Sequence, residues 1–117
     1  MKKKYTILKI ALVLAILIAL FLFFELIVYR LIAVNKVKNY MSMQGANEKD
    51  IESMSVYWDP LKNGGYTIYV KFRDDPEYEY CYNYRLLYNL EIDNSVRFSA
   101  SKDGIYRTEG GKYKKIN

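Results

Sequence analysis

An apolar run near the N-terminus constrains this chain more than any other feature. Residues 10–24 are fifteen consecutive apolar residues, and after Glu25 the run resumes at 26–29. Twenty helical residues, at a rise of about 1.5 Å each, span roughly 30 Å, which is the thickness of the hydrocarbon core of a bilayer. The sequence therefore predicts a transmembrane helix over residues 10–30.

The flanks of this run predict how the helix inserts. A cleaved signal peptide has a shorter apolar core followed by small residues, whereas bulky residues occupy positions 21–24 here. Positive charge is greater on the N-terminal flank, which favours a cytoplasmic N-terminus. The charges are Lys2, Lys3, Lys4 and Lys9 before the run, and Arg30, Lys36 and Lys38 after it. We expect an uncleaved signal anchor in the cell membrane, with a cytoplasmic basic leader at 1–9 and an extracytoplasmic C-terminal domain.

Three residues of the anchor have a predicted role at the membrane. Tyr5 and Tyr29 bracket the run, where amphipathic rings prefer the headgroup level, and are predicted membrane-interface residues. Glu25 is the ionisable group within the run. Because it lies within two turns of the C-terminal flank, we expect its carboxylate to reach toward water and Arg30; contact with a partner helix or a role in transport is the alternative.

Composition beyond the anchor argues against several classes of function. Residues 31–117 carry thirteen Lys or Arg against twelve Asp or Glu, so most of the net charge of +5 belongs to the first thirty residues. A nearly neutral domain lacks the clustered basic face of a nucleic-acid-binding protein. The chain has no histidine, which is the commonest general base and metal ligand. We expect neither an enzyme nor a cofactor.

The remaining residues alternate in the manner of a small α+β domain. No Gly or Pro precedes Gly45, so the helix is predicted to continue as an amphipathic helix over 31–45. Residues 46–103 then alternate apolar and polar side chains, which predicts an antiparallel meander of about four strands with one face under the helix. Residues 104–117 are predicted to form a flexible basic tail. The apolar stripe of the helix is Val34, Val37, Tyr40 and Met41.

The alternation also predicts a strand register. Keeping the apolar faces together places Val70 opposite Tyr80 and Phe72 opposite Tyr78, which would pair Lys71 with Glu79 on the other face. Residues 93–95 are predicted to turn into the last strand. For the stretch that precedes this turn, within residues 86–95, the pattern leaves strand and loop equally open.

Three groups of residues are candidates for chemistry or binding. The acids Asp74, Asp75, Glu77 and Glu79 offer oxygen ligands for Ca²⁺, but they match no calcium loop, and we expect a solvated turn with cross-strand pairing instead. Cys81 is the sole cysteine, which excludes an intrachain disulfide and favours a packed thiol over a reactive one. Tyr57 and Tyr69 are predicted to point outward on adjacent strands and are the candidate partner contacts.

The order of these features resembles a known family. The features are the Lys-led anchor, the short helix, an Ile-led strand at 51–56, and Tyr-Val-Lys-Phe-Arg-Asp-Asp-Pro at 69–76 followed by Tyr-x-Tyr. Over about residues 1–85 the chain resembles the short membrane proteins of Gram-positive bacteria catalogued as domain of unknown function 3139. The resemblance implies a membrane protein and supplies no established activity and no catalytic residues.

The sequence thus favours a single-pass membrane protein with a small extracytoplasmic noncatalytic domain. Its expected role is an accessory or interaction module of the cell envelope, with the lipid bilayer and an envelope protein or wall polymer as partners. Two alternatives stay open at this point. One is an immunity or inhibitor-type envelope protein, and the other is an enzyme or metal-dependent domain that uses Cys81 or the acids between Asp74 and Glu79.

Overall fold

A long helix leads into an antiparallel sheet. The computed structural model describes residues 2–59, 65–88 and 91–116. The helix comprises α1 (Lys2–Phe23), a π-helical segment (Phe24–Val28) and α2 (Tyr29–Met43) without a break between them. A short 3-10 turn (Glu48–Asp50) precedes the sheet. The strands are β1 (Ile51–Asp59), β2 (Gly65–Phe72), β3 (Asp75–Tyr88), β4 (Glu91–Lys102) and β5 (Ile105–Arg107).

Gly45 ends the helix, as the sequence predicts. Its φ of 90° lies in the left-handed region that favours glycine. The Gly45 N–H donates to the carbonyl of Ser42 (3.0 Å) and the Ala46 N–H donates to the carbonyl of Met41 (2.9 Å). This pair of bonds is the Schellman arrangement, which satisfies carbonyls that the last turn of a helix leaves without partners.

The sheet confirms the predicted α+β meander. Its strands follow chain order from β1 to β5 and every neighbouring pair is antiparallel. The helix α2 packs on β2, β3 and β4. The described residues form five strands where about four were predicted, because β5 comes from residues assigned to the tail.

The register matches the prediction in the middle of the sheet and departs from it at one turn. Val70 pairs with Tyr80, but Phe72 pairs with Asp75, so the predicted opposition of Phe72 and Tyr78 is wrong. The reversal uses only residues 73–74, and β3 already begins at Asp75. The extra residues of β3, Pro76 among them, interrupt the ladder between Val70 and Phe72. The predicted Lys71–Glu79 pair depended on an uninterrupted register there.

The described residues of the stretch that the sequence left open are strand. β3 continues to Tyr88 and β4 begins at Glu91, with Leu87 paired to Ile92 and Tyr88 paired to Glu91. Residues 89–90, between these strands, lie outside the described residues. The predicted turn at 93–95 is therefore wrong, since these residues lie inside β4.

The core lies between α2 and the inner face of the sheet. Tyrosine supplies much of it, and each buried hydroxyl needs a hydrogen-bond partner because water cannot reach it. Tyr82 donates to Oε1 of Gln44 (2.7 Å), and the hydroxyl of Tyr40 bonds to both the carbonyl (2.9 Å) and the N–H (2.7 Å) of Ile116. The buried residues of this core include Ala33, Val37, Tyr40, Met41, Tyr66, Ile68, Val70, Phe72, Tyr80, Tyr82, Tyr84, Phe98 and Ala100.

The C-terminal residues pack against this core, contrary to the expectation of a flexible tail over 104–117. Asp103 and Gly104, both with positive φ, turn the chain so that β5 pairs with β4. Tyr113 is buried, with its ring 4.4 Å from that of Phe72 and 5.9 Å from that of Tyr80 between centroids. The tail covers the end of the sheet that α2 leaves open. The tail was predicted to be flexible because it is rich in lysine, and composition alone does not show that Tyr113 packs against the core.

Replacing Tyr113 tests whether the tail is part of the folded core. Tyr113→Ala removes a buried aromatic ring and should lower the free energy of unfolding by about 3 kcal/mol. Tyr106→Ala is the matched control, since that ring on β5 is exposed and its loss should cost less than about 0.5 kcal/mol. Denaturant unfolding of the full chain in micelles, followed by near-ultraviolet circular dichroism, measures both. Equal stability of the two variants would contradict the packed tail.

Candidate functional site

A cluster of hydrogen-bonded and aromatic residues joins the helix to one end of the sheet. We call it the helix–sheet junction and define it as Glu25, Tyr29, Trp58, Gly65 and Tyr66. The indole Nε1 of Trp58 donates to Oε2 of Glu25 (3.2 Å), and the hydroxyl of Tyr66 donates to the main-chain carbonyl of Glu25. The one acid of the apolar run is thus held by two aromatic residues of the sheet.

The π-helical segment makes this contact possible. In an α-helix the Tyr29 N–H would donate to the carbonyl of Glu25, four residues back. Here it donates to the carbonyl of Phe24, five residues back. The Glu25 carbonyl is thereby released from Tyr29 and accepts the hydroxyl of Tyr66. Such single-turn π segments are often found at functional sites.

Tyr29 lies inside the junction. Its side chain is 4% exposed, and its ring centroid is 5.5 Å from that of Tyr66 and 6.0 Å from that of Tyr84. Its hydroxyl accepts the N–H of Leu86 (2.6 Å). The sequence predicted Tyr29 at the membrane interface, facing headgroups, whereas the structure covers the ring with protein. Tyr5, the other predicted interface residue, is exposed on α1.

Close approach at the junction requires a glycine. A Cβ at position 65 would overlap the carbonyl oxygen of Tyr84 and crowd the hydroxyl of Tyr29. Tyr66, the next residue, has a raised pKa because burial disfavours the phenolate, an effect that Arg30 partly offsets and Glu25 reinforces. Its hydroxyl therefore stays protonated at neutral pH and remains a donor.

The predicted partner contacts lie together on the outer face of the sheet, which we define as the face opposite α2. Tyr57 is 54% exposed and Tyr69 is 38% exposed. Their ring centroids are 5.7 Å apart in an edge-to-face arrangement at 73°, a geometry that aromatic pairs prefer. The two rings form one exposed aromatic pair.

Cys81 pairs with Tyr69 on this outer face and is partly buried. Burial raises the pKa of its thiol, and hydrogen bonds with Ser99 and Tyr69 only partly offset that rise. Since the thiolate is the nucleophilic form, this environment does not favour a reactive cysteine.

Two of the four candidate acids hold the C-terminal residues in place. Oδ2 of Asp74 accepts from Nζ of Lys112 (2.5 Å) and from the hydroxyl of Tyr113 (2.6 Å). Oδ2 of Asp75 accepts from the N–H of Lys112 (3.0 Å) and from the hydroxyl of Tyr80. Glu77 forms an ion pair with Lys102 at 2.7 Å. Among the described residues no three His, Cys, Asp or Glu side chains converge as metal ligands would.

Sequence reasoning missed the partners of Glu25. The indole of Trp58, on β1, reaches the helix 33 residues earlier in the chain. The sequence shows one tryptophan, Trp58, and one acid within the apolar run, Glu25. Their meeting depends on which end of β1 lies beside the π-helical segment, and periodicity carries no such information.

A comparison with family models identifies the family. The model described as "Protein of unknown function (DUF3139)" matches residues 1–82. The chain belongs to this family. The match covers the helix and every junction residue, and it ends within β3. No curated protein and no solved structure matches the chain.

Asp74 should make the docked tail sensitive to acid. The hydrogen bonds from Lys112 and Tyr113 lower the pKa of Asp74 from its ordinary value near 3.8. A depressed carboxyl pKa contributes stability that is present above the unfolded-state pKa and is lost as pH falls through the folded-state pKa. Asp74→Asn should therefore lower the melting temperature at pH 7, and the gap from the unaltered chain should narrow below about pH 4.

Lys112→Met provides the matched control for this effect. It removes the partner that contributes most to the low pKa of Asp74 and should reproduce the loss at pH 7. The double variant should lose little more than either single variant, because both changes break one interaction. Melting curves of the full chain in micelles from pH 7 to pH 3 measure all four proteins. If the difference in melting temperature between Asp74→Asn and the unaltered chain did not change with pH, the ionised Asp74 carboxylate would not be what stabilises the docked tail.

Proposed function

We propose that this chain is a single-pass membrane protein that holds a small noncatalytic domain outside the cytoplasm as an interaction module of the cell envelope. The observation that carries the proposal is that one continuous helix has an exposed apolar half, α1, and a half that packs in the core of the domain, α2. None of the residues in the apolar stretch of the helix is buried in the protein, whereas α2 supplies one layer of the core.

The exposure pattern supports a membrane span over a soluble core helix. Every described residue of α1 is exposed, and its large apolar side chains lie on all sides of the helix. A soluble protein rarely exposes an apolar surface of that extent to water. A helix satisfies its own backbone hydrogen bonds, so lipid can surround it without further cost.

The helix also fixes how the domain is presented. Because α1, the π-helical segment and α2 follow without a linker, the domain is attached through a helix that enters its own core. The face covered by α2 is then unavailable to a partner. The outer face, with the aromatic pair of Tyr57 and Tyr69, is the surface that we assign to an envelope protein or wall polymer.

Cysteine labelling in whole cells tests the topology. In a Cys81→Ser background, Ser42→Cys places an exposed thiol on α2, and Lys3→Cys places one in the leader. A membrane-impermeant maleimide should label position 42 in intact cells and position 3 only after lysis. The opposite pattern would reverse the orientation, and recovery of the full-length chain in the aqueous fraction without detergent would refute the span.

Replacing both outer tyrosines tests the interaction surface. Tyr57→Ala with Tyr69→Ala should reduce recovery of a crosslinked partner or of bound wall polymer from intact membranes by at least about tenfold, since buried aromatic contacts commonly cost 2 kcal/mol or more to remove. Ile105→Ala, an exposed position on the far edge strand, is the control and should leave recovery unchanged. An equal yield from the two proteins would argue against this face.

A further inference from the structure

The helix–sheet junction also determines how close the sheet lies to the lipid. We propose that the end of the sheet carrying Trp58 rests in the headgroup layer of the bilayer, with the indole as an interfacial anchor, and that the lipid-embedded span is about residues 5–24. This inference rests on the proposed membrane span and adds a specific contact to it, whose occupant is the protein's own bilayer.

The first support is the level of Glu25 on the helix. Glu25 lies four residues before Tyr29, about 6 Å along the axis. Trp58 donates to its carboxylate and Tyr66 to its carbonyl, so the end of β1 and the start of β2 lie at that level. If hydrocarbon extended to Tyr29, this end of the sheet would be embedded in lipid, with its polar groups and the carboxylate, and that is costly.

Moving the span toward the N-terminus removes this conflict. Residues 5–24 number twenty, the same length as 10–29 and enough to cross the hydrocarbon core. The polar groups that enter this span lie in its first turns. The hydroxyl of Thr6 donates to the carbonyl of Lys2 (3.0 Å), and the long side chain of Lys9 can extend its ammonium group back toward water. Tyr5, exposed on α1, then lies at the other interface.

The second support is the course of β3. Tyr82 contacts Gln44 near the end of α2, whereas Leu86 contacts Tyr29 at its start. The strand therefore runs toward α1 and continues two residues beyond Leu86, to Tyr88. Arg85 is level with Gly65 and Asp59 in the sheet, so at about 3.3 Å per residue β3 extends about 10 Å beyond the ends of β1 and β2. The junction and the end of β3 thus lie at the same end of the sheet, the end nearest α1.

The third support is the chemistry of Trp58 itself. Its side chain remains 40% exposed although its indole N–H is bonded to Glu25. An exposed apolar ring with a satisfied polar edge is what the headgroup layer accommodates, and tryptophan is enriched there. The described residues that precede Glu25 on the helix, from Phe21 to Phe24, are exposed and apolar. The apolar surface therefore continues from the helix toward the indole.

Because Trp58 is the only tryptophan in the chain, its fluorescence measures its own depth. The full chain is inserted into phosphatidylcholine vesicles whose acyl chains carry bromine either near the headgroup or near the terminal methyl. We expect the emission of Trp58 to be blue-shifted from that of indole in water, and to be quenched severalfold more by the shallow bromines than by the deep ones.

A relocated reporter is the matched control. Trp58→Phe with Tyr106→Trp moves the only indole to an exposed position on β5, whose partner on β4 lies near the end farthest from the junction. That reporter should show water-like emission and little quenching by either lipid. If Trp58 is quenched no more than the relocated indole while the protein resists an alkaline carbonate wash, the headgroup contact is refuted and the membrane span stands. Release of the protein by that wash refutes the span, and the contact with it.

Discussion

The packing of α2 against the tyrosine-rich face of the sheet is the interaction on which the rest of the structure depends. Ala33 and Val37 are fully buried on the helix side, opposite strands whose inward positions are mostly aromatic. Small helix residues let the large rings of the sheet approach the helix closely, and close packing of this kind is typical of protein interiors. Since α2 is the continuation of α1, this one interface also positions the domain relative to the apolar helix.

Because the core contains many tyrosines, its buried hydroxyl groups need hydrogen-bond partners, some of them outside the sheet. Each buried hydroxyl must find a partner, and the partners come from segments that the sheet alone would not recruit. Asp75 accepts from Tyr80, and Ile116 bonds to Tyr40. Within the described residues no buried side-chain nitrogen or oxygen lacks a partner. The acids at 74–75 and the C-terminal residues are therefore structural parts of the same core.

The π-helical segment connects this core to the apolar helix. By shifting one hydrogen bond from Glu25 to Phe24, it releases a carbonyl at the level where Tyr66 arrives, and it places the carboxylate of Glu25 beside Trp58. The acid that looked out of place in an apolar run thus has a partner within its own chain. The same contact sets the depth of the sheet in the proposed membrane arrangement, because helix and sheet cannot move along each other without breaking it.

Local patterns in the sequence were sufficient for the family, the long helix, its end at Gly45, the antiparallel meander and the pairing of Val70 with Tyr80. Each of these depends on chemistry within a few residues: helix length, a left-handed glycine, or period-two alternation. The tertiary structure decided what depends on distance in space. It brought Trp58 to Glu25, placed Tyr29 in the core, paired Phe72 with Asp75, and packed Tyr113 into the sheet. Apart from the tight turn between Phe72 and Asp75, those contacts join residues 33 to 57 positions apart. The one-dimensional pattern cannot encode them because it does not specify which ends of its elements meet.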